Sequence, residues 1–190
     1  MDRLIEEIIK YRPWTEEERW EQQQIIDFVK KNPDCLLRSN QIAHMTASGW
    51  VVNKDRSKVV MAYHKIYDAW AWLGGHADGE RDLLRVAQRE ACEEAGLKRV
   101  LPVSEDIFSM ETLVVEGHQK NGSWVPSHLH LNLTYLLEAD ESEALHNKED
   151  ENSGVRWVPV SEVEKICREP WMVAHVYRKL IEKTQRKYMR

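Results

Sequence analysis

The stretch GGHADGERDLLRVAQREACEEAGL, residues 74–97, joins a glycine-rich segment to an amphipathic helix. Its pattern predicts a helix from about Asp82 to Ala95, with Gly96 as the C-cap because glycine readily adopts the left-handed conformation needed there. One narrow face of this helix carries mostly small side chains, namely Leu84, Ala87, Ala91 and Ala95. Such a face is suited to close packing on a β-sheet.

The opposite side of this helix carries three glutamates, Glu90, Glu93 and Glu94. Carboxylates at this spacing repel one another, so something should compensate for them. Arg89 can pair with Glu93 one turn away, while Glu90 and Glu94 still share one surface. A hard divalent cation with oxygen ligands needs such a surface, and the glycines ahead of the helix let the backbone approach a metal or a phosphate. The alternative is a solvated acidic face, the commoner meaning of an isolated E-x-x-E-E pattern.

From Gly75 to Leu97 the sequence resembles the Nudix box, the signature of the Nudix hydrolase family, written G-x5-E-x7-R-E-U-x-E-E-x-G-U with U aliphatic. The positions that fall in register are Arg89, Glu90, Ala91, Glu93, Glu94, Gly96 and Leu97. In one departure, Glu80 lies five residues after Gly75, and Arg81 occupies the position of the signature glutamate. The resemblance therefore assigns no role to Glu80.

The resemblance implies an α+β fold, an α/β/α sandwich with a mixed β-sheet between helices, over residues 41–190 including the C-terminal helices. It also implies hydrolysis of a diphosphate linkage, in a nucleoside diphosphate linked to another group or a related small metabolite, with Mg²⁺ or Mn²⁺. The implied metal ligands are the Gly75 carbonyl, Glu90, Glu93 and Glu94, and Glu90 and Glu94 are also expected to be catalytic. The metal would neutralise phosphate oxygens and lower the pKa of an attacking water.

The resemblance implies that the general base is either one of the three helix glutamates or a carboxylate from a later loop, just before the last strand. The candidates there are Glu149 and Glu151, and we take Glu151 as the third catalytic residue. The surrounding segment, residues 138–151, is rich in acids. A solvated acidic loop is therefore the alternative for either residue.

Around this stretch, the sequence alternates between helical and strand patterns. Thr15 and Glu18 form a capping box that starts a helix ending before Asn32, and Ser161 and Glu164 form another that opens a C-terminal helical region divided by Pro170. Strands are predicted over residues 44–52, 58–64, 107–116, 128–138 and 155–158, the first two forming a hairpin. These elements predict a mixed α/β or α+β domain with an N-terminal helical extension, residues 1–40. We expect the extension to cover the domain or to form a homodimer contact, and to supply no catalytic group.

The composition restricts the classes of partner. A net charge of −5 and a pI near 5.9 argue against a nucleic-acid partner held by general electrostatic attraction. No apolar run approaches the roughly 20 residues of a membrane span, and acids occupy the N-terminus where a signal peptide carries basic residues, so we expect a cytoplasmic protein without a membrane partner. Three separated cysteines without a C-x-x-C pair predict neither a zinc site nor a disulfide framework. The expected partner is a small-molecule diphosphate.

Several other features of the sequence each allow two interpretations. The polar side of the strand at 128–138 carries His128, His130, Asn132 and Thr134, and it lines a cleft or meets solvent. Trp70 and Trp72 stack on a base or pack beneath the sheet. The basic side chains within residues 177–190 either form a nucleic-acid patch or complement a helix dipole. His76 either contacts phosphate or has no role in binding.

Two other functions compete with hydrolysis. Isopentenyl-diphosphate isomerase, a relative with the same fold, has Cys-Gly-His where this chain has Gly74, Gly75 and His76, so the histidine is present and the cysteine is not. A non-catalytic Nudix-like ligand sensor would tolerate loss of the glutamates, and all of them are present here. Both comparisons favour a hydrolase.

Overall fold

The computed structural model describes residues 3–65, 68–120, 122–148 and 152–186. It shows a mixed, curled β-sheet with helices on its faces, which confirms the predicted α+β class. None of the helices in the described ranges is long and apolar enough to cross a membrane.

The helices are α1 (Arg3–Lys10), α2 (Glu16–Lys31), α3 (Leu83–Ala95), α4 (Val163–Ile166), α5 (Pro170–Met172) and α6 (Arg178–Arg186). The strands are β1 (Ala43–Val52), β2 (Lys58–His64), β3 (Ala69–Ala71), β4 (Leu73–His76), β5 (Leu101–Pro102), β6 (Ser109–Val115), β7 (His118–Lys120), β8 (Ser123–Val125), β9 (His128–Glu138) and β10 (Asn152–Pro159). A 3₁₀ helix (Val160–Glu162) precedes α4, and a π-helix (Val173–Tyr177) joins α5 to α6.

The sheet is built on two long central strands, β1 and β9. They run parallel from the pair Ala43 and Leu129 to the pair Val52 and Glu138, whereas the other strand pairs are antiparallel. The other edge of β1 pairs first with β4 and then, at Val52, with β2. Because β1 has neighbours along both edges and helices over its faces, all its residues are buried.

Two hydrophobic clusters lie on the two sides of β1, because successive strand residues point to opposite faces. Val51 belongs to the cluster that includes α1, α2 and α3, where Ala87 and Ala91 are fully buried. Trp50 belongs to the other cluster, beneath α4 to α6, where it stacks on Tyr177. The small face of α3 therefore packs on the sheet as the sequence predicts.

Gly74 and Gly75 lie in strand β4 rather than in the glycine-rich loop expected from the sequence. Gly74 pairs with Ser48 of β1, and a Cβ atom on Gly74 would lie 2.5 Å from the Ser48 side-chain oxygen. Glycine is therefore required for two strands to approach closely. The connection to α3 turns at Asp78 and Gly79, which both have positive φ.

Helix ends follow the predictions in part. The Glu18 backbone N–H donates to the Thr15 hydroxyl at 3.1 Å, and α2 ends at Lys31. Gly96 caps α3 in the left-handed conformation. The capping box predicted at Ser161 is wrong: a 3₁₀ helix occupies this segment without a side-chain cap, because Val160 is buried and its N–H donates to the Ser57 carbonyl.

The N-terminal helices pack on the rest of the fold. Leu4, Ile8 and Ile25 are buried in the same cluster as α3. Helix α2 lies along the outer edge of β6, where the N–H groups of Met110 and Thr112 donate to the carboxylates of Glu18 and Glu21, respectively. These side chains complete hydrogen bonds that an outer strand would otherwise leave unmade.

Candidate active site

The three glutamates of α3 differ in exposure. The side chain of Glu93 is 49% exposed and that of Glu90 is 15% exposed, whereas Glu94 is buried. The prediction that all three lie away from the packed side is therefore wrong for Glu94. The segment before β10 packs against the end of the same helix, where the His146 N–H donates to the Ala95 carbonyl at 2.9 Å.

Glu90 lies directly against the backbone of β4. A Cβ atom on Gly75 would be 2.5 Å from the Glu90 carboxyl carbon and 2.6 Å from its Oε2. The absence of a side chain at Gly75 thus lets a main-chain segment meet a carboxylate. Carboxylate and carbonyl oxygens are the ligands that hard divalent cations prefer, so these residues fit the Mg²⁺ or Mn²⁺ implied by the sequence.

Arg89 contacts two of the three carboxylates. Its Nη2 lies 2.9 Å from Glu90 Oε1, and its Nε lies 4.0 Å from Glu93 Oε1. The hydrogen-bonded partner is therefore the adjacent Glu90, and the predicted partner Glu93 is only at the limit of an ion pair. Arg89 partly offsets the repulsion between the carboxylates.

Glu80 stabilises the turn that enters α3. Its Oε1 accepts hydrogen bonds from the backbone N–H groups of Asp82 at 3.0 Å and Arg81 at 2.8 Å. These bonds favour the charged form and lower the pKa of Glu80. Asp82 is the N-cap and accepts from the Arg85 N–H at 3.1 Å. A capping role thus accounts for Glu80 despite its shifted position.

Glu149 and Glu151, the candidate general bases, lie outside the described residues. The residues on either side are described: the Asn152 N–H donates to the Lys148 carbonyl at 2.8 Å. His146, two residues earlier, is bonded to the end of α3.

The polar side of β9 meets neither a cleft nor solvent at Asn132 and Thr134. Both side chains donate to the carboxylate of Glu111, at 3.0 and 2.8 Å. The side-chain oxygen of Asn132, Oδ1, accepts from the hydroxyls of Thr46 and Ser48. All five residues are buried. The alternation along β9 therefore reflects a buried hydrogen-bond network, and both predicted environments, a cleft or solvent, are wrong for these two residues.

His128 and His130 meet two histidines from other strands, His44 of β1 and His76 of β4. The ring centroids of His44, His76 and His130 lie 4.8 to 5.1 Å apart. Burial, together with the neighbouring His76 and His44, lowers the pKa of His130 to about 2. His44 carries no signal of its own in the sequence, because only the strand register aligns it with His130.

The two tryptophans and two of the basic residues singled out in the sequence have packing roles. Trp72 contacts Tyr177 edge-on with centroids 5.9 Å apart, and the Arg156 guanidinium lies 4.3 Å from the centre of the Trp70 ring. Lys179 and Lys183 point inward to Glu18, at 3.0 and 3.8 Å. These two lysines therefore do not contribute to a surface patch for nucleic acid.

A cavity of 1090 Å³ lies between α1, α6 and the start of α3. Its lining includes Leu84 and Gln88 of α3, together with Tyr11, Trp14 and Lys183. Gln88 and Glu90 are two residues apart on a helix and so point in opposite directions. This cavity is therefore separate from the carboxylates of α3.

Comparisons with known proteins agree with this geometry. A family model of the NUDIX domain matches residues 43–183. No curated protein sequence matches the chain. Among solved structures, the MutT protein from Methanosarcina mazei Go1 has a TM-score of 0.56 at 13% identity, over 80% of this chain and 99% of that chain. A Nudix hydrolase from M. smegmatis, RenU, has a TM-score of 0.54 at 19% identity, over 75% of this chain and 86% of that chain. The C. elegans Ap4A hydrolase has a TM-score of 0.53 at 18% identity, over 75% of this chain and 96% of that chain. At these identities the likeness is one of fold.

Proposed function

The chain belongs to the NUDIX domain family, and from this premise we propose that it is a metal-dependent hydrolase of a diphosphate linkage. The substrate is a nucleoside diphosphate joined to another group, or a related small metabolite. The observation that carries the proposal is the contact between the Gly75 backbone and the Glu90 carboxylate, next to two further glutamates on the same helix. This contact supports a site built from oxygen donors on a strand and a helix, which are rigid elements.

The residues that would hold the cation are Glu90, Glu93 and Glu94, with the Gly75 carbonyl. When bound, Mg²⁺ or Mn²⁺ supplies the positive charge that neutralises phosphate oxygens and makes water a better nucleophile. Arg89 holds the Glu90 carboxylate in place through a charge-assisted hydrogen bond of 2.9 Å. The burial of Glu94 restricts its motion, so both carboxylates are positioned before substrate arrives.

In the proposed reaction, the oxygen of a water attacks phosphorus, the bond from phosphorus to the bridging oxygen breaks, and a carboxylate takes the proton of the water. Glu151 is our candidate for this base, with Glu149 as the alternative. The assignment is supported by the preceding loop, where the His146 N–H donates to the carbonyl of Ala95, at the end of the helix that carries Glu90 and Glu94.

A screen of diphosphate compounds tests the function. The compounds would include a nucleotide sugar, ADP-ribose, a nucleoside triphosphate and a dinucleoside polyphosphate, the last because one structural neighbour is an Ap4A hydrolase. Each is incubated with Mg²⁺ or Mn²⁺, and released phosphate is read after phosphatase coupling. An isomerase would convert a diphosphate without releasing phosphate, and a sensor would bind one without turnover.

The variant Glu90→Gln tests the site once a substrate is found. It keeps the size of the side chain and removes the charge, so kcat should fall by about 100-fold or more while the protein stays folded. The matched control is Glu164→Gln, the same change at an exposed carboxylate. Glu164 pairs with Arg178 and is distant in sequence from Glu90. Unchanged turnover in Glu90→Gln would refute the role of this glutamate, and full activity in excess EDTA would refute the use of a metal.

A further inference from the structure

Four histidines, His44, His76, His128 and His130, form what we term the histidine cluster, on the side of the sheet that faces away from α3. They come from β1, β4 and β9, which are adjacent strands. The missing side chain of Gly75 would point to Glu90 of α3, so His76, the next residue along the strand, points to the other face. The cluster is therefore separated from the carboxylates by the sheet itself.

The nitrogen atoms of the cluster converge. One ring nitrogen from each of His44, His76 and His130 lies within 4.8 Å of the others, and the Nε2 atoms of His128 and His130 are 3.2 Å apart. Around a tetrahedral zinc ion, with bonds of about 2.0 to 2.1 Å, ligand nitrogens are about 3.3 Å apart. The pair from His128 and His130 already has this separation, and the rings of His44 and His76 would move closer to reach it.

Backbone carbonyls orient two of these rings. His44 Nδ1 donates to the Asn40 carbonyl at 3.0 Å, and His128 Nδ1 donates to the Pro126 carbonyl at 2.9 Å. A carbonyl only accepts, so in both neutral rings the lone pair lies on Nε2. Metal-binding histidines are commonly held by such a bond from the other ring nitrogen.

The Nε2 atom of His44 is an acceptor without a partner in a buried position. His44 is only 4% exposed, and its Nε2 makes no hydrogen bond. A buried polar atom left unsatisfied carries a free-energy cost, and such atoms are rare in folded proteins. A ligand that accepts this lone pair would remove the cost.

We propose that the histidine cluster binds a divalent transition-metal ion, with Zn²⁺ as the best fit, through one ring nitrogen each of His44, His76 and His130 and with His128 as the fourth ligand. Neutral imidazoles suit ions of this class, whereas Mg²⁺ prefers the carboxylates of α3. The nearby carboxylate of Asp78 is held by Arg38. The ion would tie β4 to β1 and β9, next to Gly75.

Cobalt provides a direct test, because tetrahedral Co²⁺ has strong visible absorption bands that octahedral Co²⁺ lacks. The full chain is stripped of metal with a chelator and titrated with Co²⁺ in excess Mg²⁺, which occupies the carboxylate site. We expect one equivalent of tetrahedral Co²⁺ that Zn²⁺ displaces and further Mg²⁺ does not. Octahedral spectra alone, or no saturable binding, would overturn the proposal.

Matched variants locate the ion. His130→Gln and His44→Gln should abolish the tetrahedral bands, whereas His118→Gln should keep them, because His118 makes a similar bond to a backbone carbonyl but lies outside the cluster. If His44→Gln fails to fold, the less buried His76 and His128 are changed to Gln instead. Glu90→Gln should keep the bands, since they are independent of the proposed hydrolysis. Bands that survive the cluster variants, or that are lost in Glu90→Gln, would show that the ion binds elsewhere.

Discussion

Gly75 is the residue at which strand geometry and site chemistry meet. Its backbone lies so close to the Glu90 carboxylate that no side chain fits between them. The residue lies in a paired strand, opposite Ala47 of β1, and not in a loop. Gly75 therefore contributes to the site by letting the backbone of β4 lie close to the Glu90 carboxylate.

We expect Gly75→Ala to displace the Glu90 carboxylate, because the new Cβ would otherwise lie 2.5 Å from the carboxyl carbon. Mn²⁺ affinity should fall sharply, and overpacking should cost about 1 to 3 kcal/mol of stability. Calorimetric Mn²⁺ titration and thermal unfolding measure the two effects. Gly154→Ala is the control, because the nearest atom to its Cβ is 3.8 Å away. Wild-type Mn²⁺ affinity in Gly75→Ala would contradict the proposed metal site.

Arg89 should act on the cation through Glu90 rather than on the substrate. We expect Arg89→Ala to lower Mn²⁺ affinity about 10-fold, because a ligand carboxylate loses the bond that orients it. Arg85→Ala, an exposed change on the same helix, should leave the affinity unchanged. Intact Mn²⁺ affinity with a rise in KM alone would show instead that Arg89 contacts substrate.

At the scale of elements, a buried ion-pair group joins α2, β6 and α6. Lys179 Nζ of α6 lies 3.0 Å from Glu18 Oε1 of α2 and 3.2 Å from Glu111 Oε1 of β6. Burial alone would raise the pKa of Glu18, but the charges of Lys179 and Lys183, together with hydrogen bonds from Tyr11 and the Trp14 N–H, outweigh it and lower the pKa to about 2. Folding therefore favours the charged form of Glu18.

We expect Glu18→Gln to destabilise the protein by about 3 kcal/mol at pH 7, because it removes one partner from a buried charge group. The pKa of Glu18 is lower when folded, so its contribution is present above the ordinary pKa of 4.5 and is lost as the pH falls towards 2. The difference between variant and wild type should thus disappear near pH 2. Urea unfolding across this range measures it, with the exposed Glu182→Gln as control. A pH-independent difference would mean that packing, not charge, is lost.

The elements that could be predicted from sequence are those with strong local signals. Alternating residues gave the bounds of β9, and Gly96 marked the end of α3. By contrast, β4 was missed because its pairing depends on how close Gly74 comes to Ser48, which only the assembled sheet determines. Local sequence cannot reveal partners that are distant along the chain.

The same limit applies to the site. Glu90, Glu93 and Glu94 could be assigned to one helix from spacing alone. The burial of Glu94 was not predictable, because the exposure of a helix residue depends on what the folded chain packs around it. Likewise, the sequence predicts a capping role for Glu18. In the structure its carboxylate accepts from the Tyr11 hydroxyl and pairs with Lys179, and only the folded chain brings Lys179 near it.

At the scale of the whole molecule, the N-terminal helices should contribute stability and no catalytic group. We expect Ile25→Ala, at a fully buried position of α2, to lower stability by about 2 to 5 kcal/mol. Below its unfolding temperature, kcat should equal that of the wild type. Trp20→Ala, at a residue that is 70% exposed, is the control and should change neither. A fall in kcat at full folding would show that the extension takes part in the chemistry.

The carboxylates that cover the outer edge of β6 also bear on how copies of the molecule behave in concentrated solution. A bare outer strand offers its N–H groups to a strand from another copy, which is a common route to aggregation. Glu21→Ala would free the Thr112 N–H while leaving Glu18 with Lys179. We expect this variant to remain folded but to form larger species as its concentration rises, seen by light scattering. Gln23→Ala, which loses only an exposed bond to Asp27, should remain as dispersed as the wild type.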